Sequence, residues 1–476
     1  MKLRSTKIVA TIGPSTESRS SMQKLKKNGM DLARLNGSHN DLKWHSKIIK
    51  RLKKELPDIP ILFDIPGKKI RTLKLNPEPK FKKGDTIVLT TNEKDKNEEK
   101  IKINNNNLHK QIKKGQRVLA DDGTLKFRVI KINGRDIYLK AQVSGQLKSF
   151  KGINVPNVNL SKKLITKKDI IMIRFAKKHK IDFIGLSFVE SKKHVQLIKK
   201  IIGKQNSPKI VSKIENKTGF KNMTEVISSS DVIMIDRGDL SVETQLESIA
   251  LKQKEIIKNA KKFAVPVIVA TELLHSMITQ SFPTKAEVSD IGNAVLDGAS
   301  AVMLSGETAI GKFPYNSINL MRNIILKTEN YFSKNKKTKS DYDSKTIPMA
   351  TSEAINLISK NVGITKIIAI TRSGYAAKNL SNNENNIPIV AVTDDQLAVK
   401  SFNILPRVKG VYFAKTFSKI KLDHMAHILK FLWQKKIITI KDNILITTVA
   451  FPSSGNRMNL IQTHYVKDLK KTFKWK

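Results

Sequence analysis

In the stretch KIVSKIENKTG, residues 209–219, Lys213 and Glu215 stand two positions apart at the end of an apolar run, with Ile214 between them. In an extended strand alternate side chains share a face, so the ammonium and the carboxylate project together from the strand's end. That pairing suits chemistry on a phosphate: the carboxylate holds Mg²⁺, and the lysine neutralises charge on the group in transfer. Taken alone, a lysine and a glutamate at a strand end equally describe a solvated ion pair. What favours chemistry is the company they keep.

Polar residues close a whole series of apolar runs: Arg34 with Asn36 and Ser38, Asp64, Ser187, Asp236 with Asp239, Thr271 with Glu272, and Ser305 with Glu307. Singly these are ordinary turn chemistry. Converging on one rim, they form a site with two cations and several carboxylates, which suggests a divalent metal and a phosphorylated or carboxylated small substrate. Two look-alikes fall away. GETAIGKF, residues 306–313, matches GxxxxGK, but Phe313 stands where a P-loop needs a Ser or Thr for Mg²⁺. Asp121-Asp122-Gly123 resembles a paired acidic metal site, yet DDG between strands reads as a turn.

The elements that must position these residues follow from the apolar runs: Lys7 to Ile12, Asp31 to Leu35, Pro60 to Asp64, Asp182 to Ser187, Lys209 to Ile214, Val232 to Asp236, Val265 to Thr271 and Ser300 to Ser305. Helix-length stretches lie between most of them, among them Asp41 to Leu56, Ser191 to Ile202 and Leu246 to Phe263. Eight buried-type strands alternating with helices predict an α/β chain folded as a closed (β/α)₈ TIM barrel, with its chemistry at the C-terminal strand ends. Between the third and fourth runs, residues 82–152 carry short alternating segments joined by Gly, Asn and Asp turns, which predicts a small inserted all-β domain. The Asn104 to Asn107 tract within it reads as a mobile loop. After Phe332 a polar stretch reads as a linker. It leads to an open α/β sheet with a helix from Thr351 and strands at Lys366 to Thr371, Pro388 to Thr393 and Asn443 to Val449.

The 476-residue chain has room for two to four domains and contains no cysteine, which excludes disulfides, zinc–cysteine sites and thiol nucleophiles. The apolar run after Lys2, Arg4 and Lys7 ends at Gly13-Pro14, too soon for an export signal, and no segment reads as membrane-spanning. With 88 Lys plus Arg against 41 Asp plus Glu, the formal charge is +47. Nucleic-acid binding is therefore a serious alternative. The lysines, however, are scattered over every segment and aromatics are only 6%. Together with abundant Ile and Asn, this pattern points to codon bias in an AT-rich genome. Attraction of anionic substrates and nonspecific nucleic-acid binding follow in either case.

At this level of detail the chain resembles the pyruvate kinase family. TKIVATIGPS, ARLNGSHN, DIPGKKIRT, DDGTL, KGINVPN, ITKKD, SKIEN, DRGDLSVE, VIVATELLHSM, FPTKAEVSDIGNAV and VMLSGETAIGKFP occur in the family's order along essentially the whole sequence. The resemblance implies a discontinuous barrel (1–72 and 165–332), a lid domain of small β-barrel type (73–164) and a C-terminal effector or oligomerisation domain (333–476). It implies transfer of the phosphoryl group of phosphoenolpyruvate to ADP, giving pyruvate and ATP in glycolysis, in a cytoplasmic homotetramer. Arg34 would bind the phosphoryl group and Lys213 stabilise it in transit. Glu215 and Asp239 would hold Mg²⁺ or Mn²⁺. The Gly238 and Asp239 amides would take the substrate carboxylate. Thr271 and Ser305 would serve the protonation path, and His39 and Arg71 the nucleotide side.

Departures from the family's pattern qualify this. Lys69 stands where potassium-dependent members carry glutamate. Asn36, Ser38 and Asp64 match potassium ligands, but a tethered ammonium makes K⁺ unnecessary. Asp236 replaces a small residue, Ser241 a glycine, Glu272 a glutamine, His275 a glutamate and Lys285 an arginine. Asp236 and Glu272 add negative charge near an anionic substrate, which Lys69 or Lys285 would have to offset. These changes keep two alternatives in view: a diverged paralogue with weak activity or another enol-phosphate substrate, and a basic nucleic-acid-binding protein on this fold. In TRSGYAAK, Tyr375 and Ala376 replace hydroxyl-rich residues of the effector loop, which argues against control by a sugar phosphate.

Overall fold

The computed structural model describes residues 4–121, 123–156, 164–203, 207–335, 346–383, 386–418, 420, 422–451 and 458–475. Eight parallel strands close into a barrel: β1 (Lys7–Thr11), β2 (Leu32–Asn36), β3 (Ile61–Ile65), β4 (Phe183–Leu186), β5 (Lys209–Ile214), β6 (Val232–Asp236), β7 (Val267–Ala270) and β8 (Ala301–Leu304). Neighbours pair in sequence order and β1 closes on β8, with Lys7 opposite Ala301 and Val9 opposite Leu32. The strands read as unbroken apolar runs because both faces are buried. Val9, Leu32, Leu62, Phe183, Val211 and Met234 point inward. Ile8, Ala33, Phe63, Ile184, Ile210 and Ile233 point outward under the helices.

Strand parity places the site. Continuing the inward series by two residues along each strand gives Thr11, Arg34, Asp64, Gly185, Lys213 and Asp236 at the top of the barrel. The helices that follow start from local capping signals: Asp41 accepts from Trp44 N, Ser191 from His194 N, and Thr166 and Thr284 form capping boxes with Asp169 and Glu287.

The insertion is β apart from one short 3₁₀ turn, Leu108–Lys110. Its seven-stranded sheet runs in the order Ile70–Arg71, Gly152–Asn154, Arg117–Ala120, Leu125–Asn133, Asp136–Ala141, Thr86–Thr90, Ile101–Lys102. A bridge between Thr72 and Ile103 joins its two edges, with Leu73 N donating to Lys102 O and Asn104 N to Arg71 O. This closure hides both edges over a separate core that includes Phe127, Ile137 and Leu139. One expectation changes here and another holds. The asparagine tract is pinned at its first residue: Asn104 Oδ1 accepts from Arg71 N at 2.8 Å, and Nδ2 donates to Lys69 O. Asp121 and Gly123 form the expected turn, while Asp122 lies outside the described residues.

The C-terminal sheet has five strands, β9 (Lys366–Ile370), β10 (Ile389–Thr393), β11 (Val408–Tyr412), β12 (Asn443–Thr448) and β13 (Leu460–Tyr465), in the order β11-β10-β9-β12-β13. The sequence reading found the three inner strands. It missed β11 and the antiparallel β13, which are edge strands with mixed burial and therefore no apolar run. Of the expected linker, 336–345 lies outside the described residues; the helix before it, Pro314–Asn335, runs past Phe332.

Candidate active site

Between the barrel top and the small β-domain lies a cavity of about 490 Å³. Its lining brings together Arg34, Asn36, Ser38, His39, Asp64, Lys69, Arg71, Lys213, Glu215, Gly238, Asp239, Thr271 and Ser305, the whole set expected from the sequence. Asp236, Glu272 and His275 line it as well. Lys285 does not: it is exposed, at the first turn of Lys285–Asp297, and itself brings no charge to the cavity.

Lys213 is the hub. Its Nζ lies 2.6 Å from Glu215 Oε1, 3.1 Å from Asp236 Oδ2 and 3.2 Å from Ser187 Oγ, and it is 5% exposed. Burial opposes its charge, but the Glu215, Asp236 and Asp64 carboxylates outweigh burial and hold the ammonium well above its ordinary range. Glu215 is 1% exposed, and its Oε2 accepts from Phe188 N at 2.6 Å. Oε1 faces the Lys213 ammonium. Burial pushes the Glu215 carboxyl up, against the pull of Lys213 and with help from Asp236 and Asp239. Asp236 moves the other way: burial disfavours its charge, yet Lys213 and Lys69 pull it below the usual carboxylate range.

Lys69 makes a contact the sequence does not announce. Its Nζ holds both oxygens of Asp239, at 2.5 and 2.8 Å. On the opposite wall Arg34 Nε donates to Asp64 Oδ2 at 2.5 Å and Nη1 to Thr11 Oγ1 at 3.0 Å. Asp64 Oδ1 is buried without a hydrogen-bond partner among the described residues, above Gly185, which leaves it room by having no side chain. The floor of the cavity thus sets three cations, Arg34, Lys69 and Lys213, against four carboxylates, Asp64, Glu215, Asp236 and Asp239. Carboxylate oxygens of Glu215, Asp236 and Asp239 fall within 4.8 Å of one another, a donor set that fits a hard divalent cation.

The end of β7 is held in an unusual backbone conformation. Thr271 and Glu272 have φ of 70° and 58°, a strained setting for residues with side chains. Arg237 maintains it: Nη2 donates to Thr271 O at 2.7 Å, while Nη1 is locked on both oxygens of Asp290. Thr271 Oγ1 in turn accepts from Gly238 N at 2.9 Å. The Gly238 amide expected to meet a substrate carboxylate is therefore already bonded, and such a ligand has to take it from Thr271. Nearby, Ser305 Oγ is buried with no partner among the described residues, and Ser305 N donates to Glu307 Oε2 at 2.7 Å.

On the side of the small β-domain, His39 is held below its ordinary value by burial and by Arg71, Arg34 and Lys151. Several cations face one place there, which suits a polyanionic ligand. Arg71 Nη1 donates to Phe150 O, and Lys151 pairs with Asp121 at 2.7 Å. Asn36 Oδ1 accepts from Ser38 N at 3.1 Å.

The sequence reading missed two supports, Arg237 with Asp290, and Gly185; Glu307 it placed beside Ser305, where the structure has it. The arginine of the RGD segment was visible, but its partner lies 53 residues away on another element. A glycine carries no chemical signal of its own.

Comparison with known proteins matches residues 3–318 to the family model described as pyruvate kinase, barrel domain, and residues 349–464 to pyruvate kinase, alpha/beta domain. A pyruvate kinase of Thermotoga maritima is 37% identical over 428 residues, covering 88% of this chain and 91% of its own. One from Clostridium perfringens is 35% identical over 468 residues, covering 95% and 97%. One from Thermococcus litoralis is 40% identical over 332 residues, covering 68% and 70%. With the barrel, the inserted β-domain and the cation–carboxylate floor all in place, this chain belongs to the pyruvate kinase family.

Proposed function

We propose that this chain transfers the phosphoryl group of phosphoenolpyruvate to ADP, yielding pyruvate and ATP. The observation that carries this is Lys213: a buried ammonium held by carboxylates at a cavity floor, with the Arg34 guanidinium on the facing wall. Arg34 binds the phosphoryl group, and Lys213 offsets its charge in transit. Glu215 and Asp239 are the residues that hold a divalent cation, Mg²⁺ or Mn²⁺. Bound there, the cation neutralises the substrate carboxylate and the developing enolate.

Thr271 anchors the substrate through its hydroxyl and, with Ser305, forms the path by which a proton reaches the enolate carbon. His39 and Arg71 face the nucleotide. The small β-domain, residues 73–164, acts as a lid that excludes water and so spares the phosphoryl group from hydrolysis. Lys69 makes K⁺ dispensable. No helix among the described residues is long and apolar enough to cross a membrane. A cytoplasmic homotetramer whose 333–476 unit supports assembly completes the reading, and binding to nucleic acid is nonspecific and salt-sensitive.

The test is pyruvate formation from phosphoenolpyruvate and ADP with Mg²⁺, for wild type and Lys213→Ala. Turnover that collapses in a folded variant is the expected result. A well-folded wild type without turnover would sink the proposal and favour a diverged paralogue.

A further inference from the structure

Asp236 ends β6 on the inward face, by the same parity that places Lys213 on β5. Its Oδ2 lies 3.1 Å from Lys213 Nζ, while Oδ1 faces Gly238, 3.8 Å from where a Cβ would sit there. Oxygens of Glu215, Asp236 and Asp239 fall within 4.8 Å of one another, and all three residues are buried. That span fits ligands placed about 2.0–2.6 Å from one divalent ion. All three carboxylates already face ammonium groups, Glu215 and Asp236 that of Lys213 and Asp239 that of Lys69, so the pocket they form is one that holds positive charge.

We infer that Asp236 is a third carboxylate of the divalent-cation site, and that it sets the order of binding, cation before anionic substrate. This rests on the assignment of Glu215 and Asp239 made above. The floor holds four carboxylates against three cations, so its formal balance is 3 − 4 = −1. An anionic substrate entering such a floor meets repulsion, and a divalent cation reverses the sign to +1. A neutral residue at 236 would make the balance even beforehand and let the substrate bind alone. Asp236 therefore tightens the hold on the cation and weakens the hold on the substrate when no cation is present.

The experiment is Mn²⁺ binding to the substrate-free full chain, read from the electron paramagnetic resonance of free Mn²⁺. Wild type is compared with Asp236→Ala, the shape-preserving Asp236→Asn, and Glu215→Gln, each checked for folding by circular dichroism. Both 236 variants are expected to bind Mn²⁺ about 10- to 100-fold more weakly. In equilibrium dialysis with EDTA, the same variants should bind phosphoenolpyruvate more tightly than wild type does. If Asp236→Asn holds Mn²⁺ as wild type does while Glu215→Gln does not, Asp236 is a counter-ion to Lys213 and this inference falls alone. If wild type takes up no Mn²⁺, or Glu215→Gln binds it unchanged, the cation assignment beneath both readings falls.

Discussion

Gly185→Ala should disable the site without touching any group that meets substrate. An ideal Cβ at 185 would lie 1.8 Å from Asp64 Oδ1 and 2.9 Å from Asp64 Cγ, well inside van der Waals contact. Both strands belong to the closed barrel, and Asp64 and Gly185 are paired in register, so the backbones cannot separate locally. Asp64 must turn away, and Arg34 Nε loses its 2.5 Å partner. Overpacking of this kind costs about 1–3 kcal/mol. Leaving the guanidinium buried without its carboxylate raises the cost to about 3–5 kcal/mol. A displacement of Arg34 by ~1 Å lowers kcat/KM by about 10²-fold. The assay is phosphoenolpyruvate saturation at fixed ADP, alongside thermal melting. The loss should fall mainly on KM for phosphoenolpyruvate. Adding Asp64→Ala to Gly185→Ala removes the clash, so melting should partly recover while activity does not. A Gly185→Ala enzyme with wild-type melting and wild-type kcat/KM would refute the reasoning.

Two further perturbations probe other parts of the molecule. Rates measured in K⁺ and in tetramethylammonium should agree for wild type, whereas Lys69→Glu, which removes the ammonium from Asp239, should bring in K⁺ dependence; equal rates in that variant would overturn the role given to Lys69. His194 is held at about 4, from an ordinary 6.5, by burial and by Lys68. It stays neutral in the fold but takes up a proton on unfolding, so its contribution is fully present above pH 6.5 and is lost as pH falls toward 4. At about 1.4 kcal/mol per pH unit the loss approaches about 3 kcal/mol. The melting temperature of His194→Gln should fall less than that of wild type over this window, and parallel curves would exclude the effect.

The eight barrel strands were legible because burial on both faces writes them as apolar runs; for Lys209–Ile214 and Val232–Asp236 both ends agree with the reading. β11 and β13 were not legible, since an edge strand needs no such run. Within the site, parity sufficed to place Lys213 with Glu215. Parity could not show what Asp236 meets, so its charge read as a liability. In the fold that charge lies against Lys213. Lys69 and Asp239 are 170 residues apart, and only barrel closure with the inserted domain on top makes them partners. Lys285, expected to offset charge, lies outside the cavity because its helix begins beyond the rim.

The clamp between Asn104 and the strand Ile70–Arg71 has a mechanical meaning. Asn104 ties Arg71 through both its N–H and its carbonyl, and ties Lys69 through its carbonyl, to the far edge of the inserted domain. Arg71 and Lys69 therefore ride on that domain as on a rigid body, as does Lys151 beside them. Any rotation that lifts the domain carries these cations out of the cavity in one stroke, leaving Arg34 and Lys213 among the barrel's four carboxylates. The charge that an anion meets thus depends on the hinge angle: less negative with the domain down than with it raised.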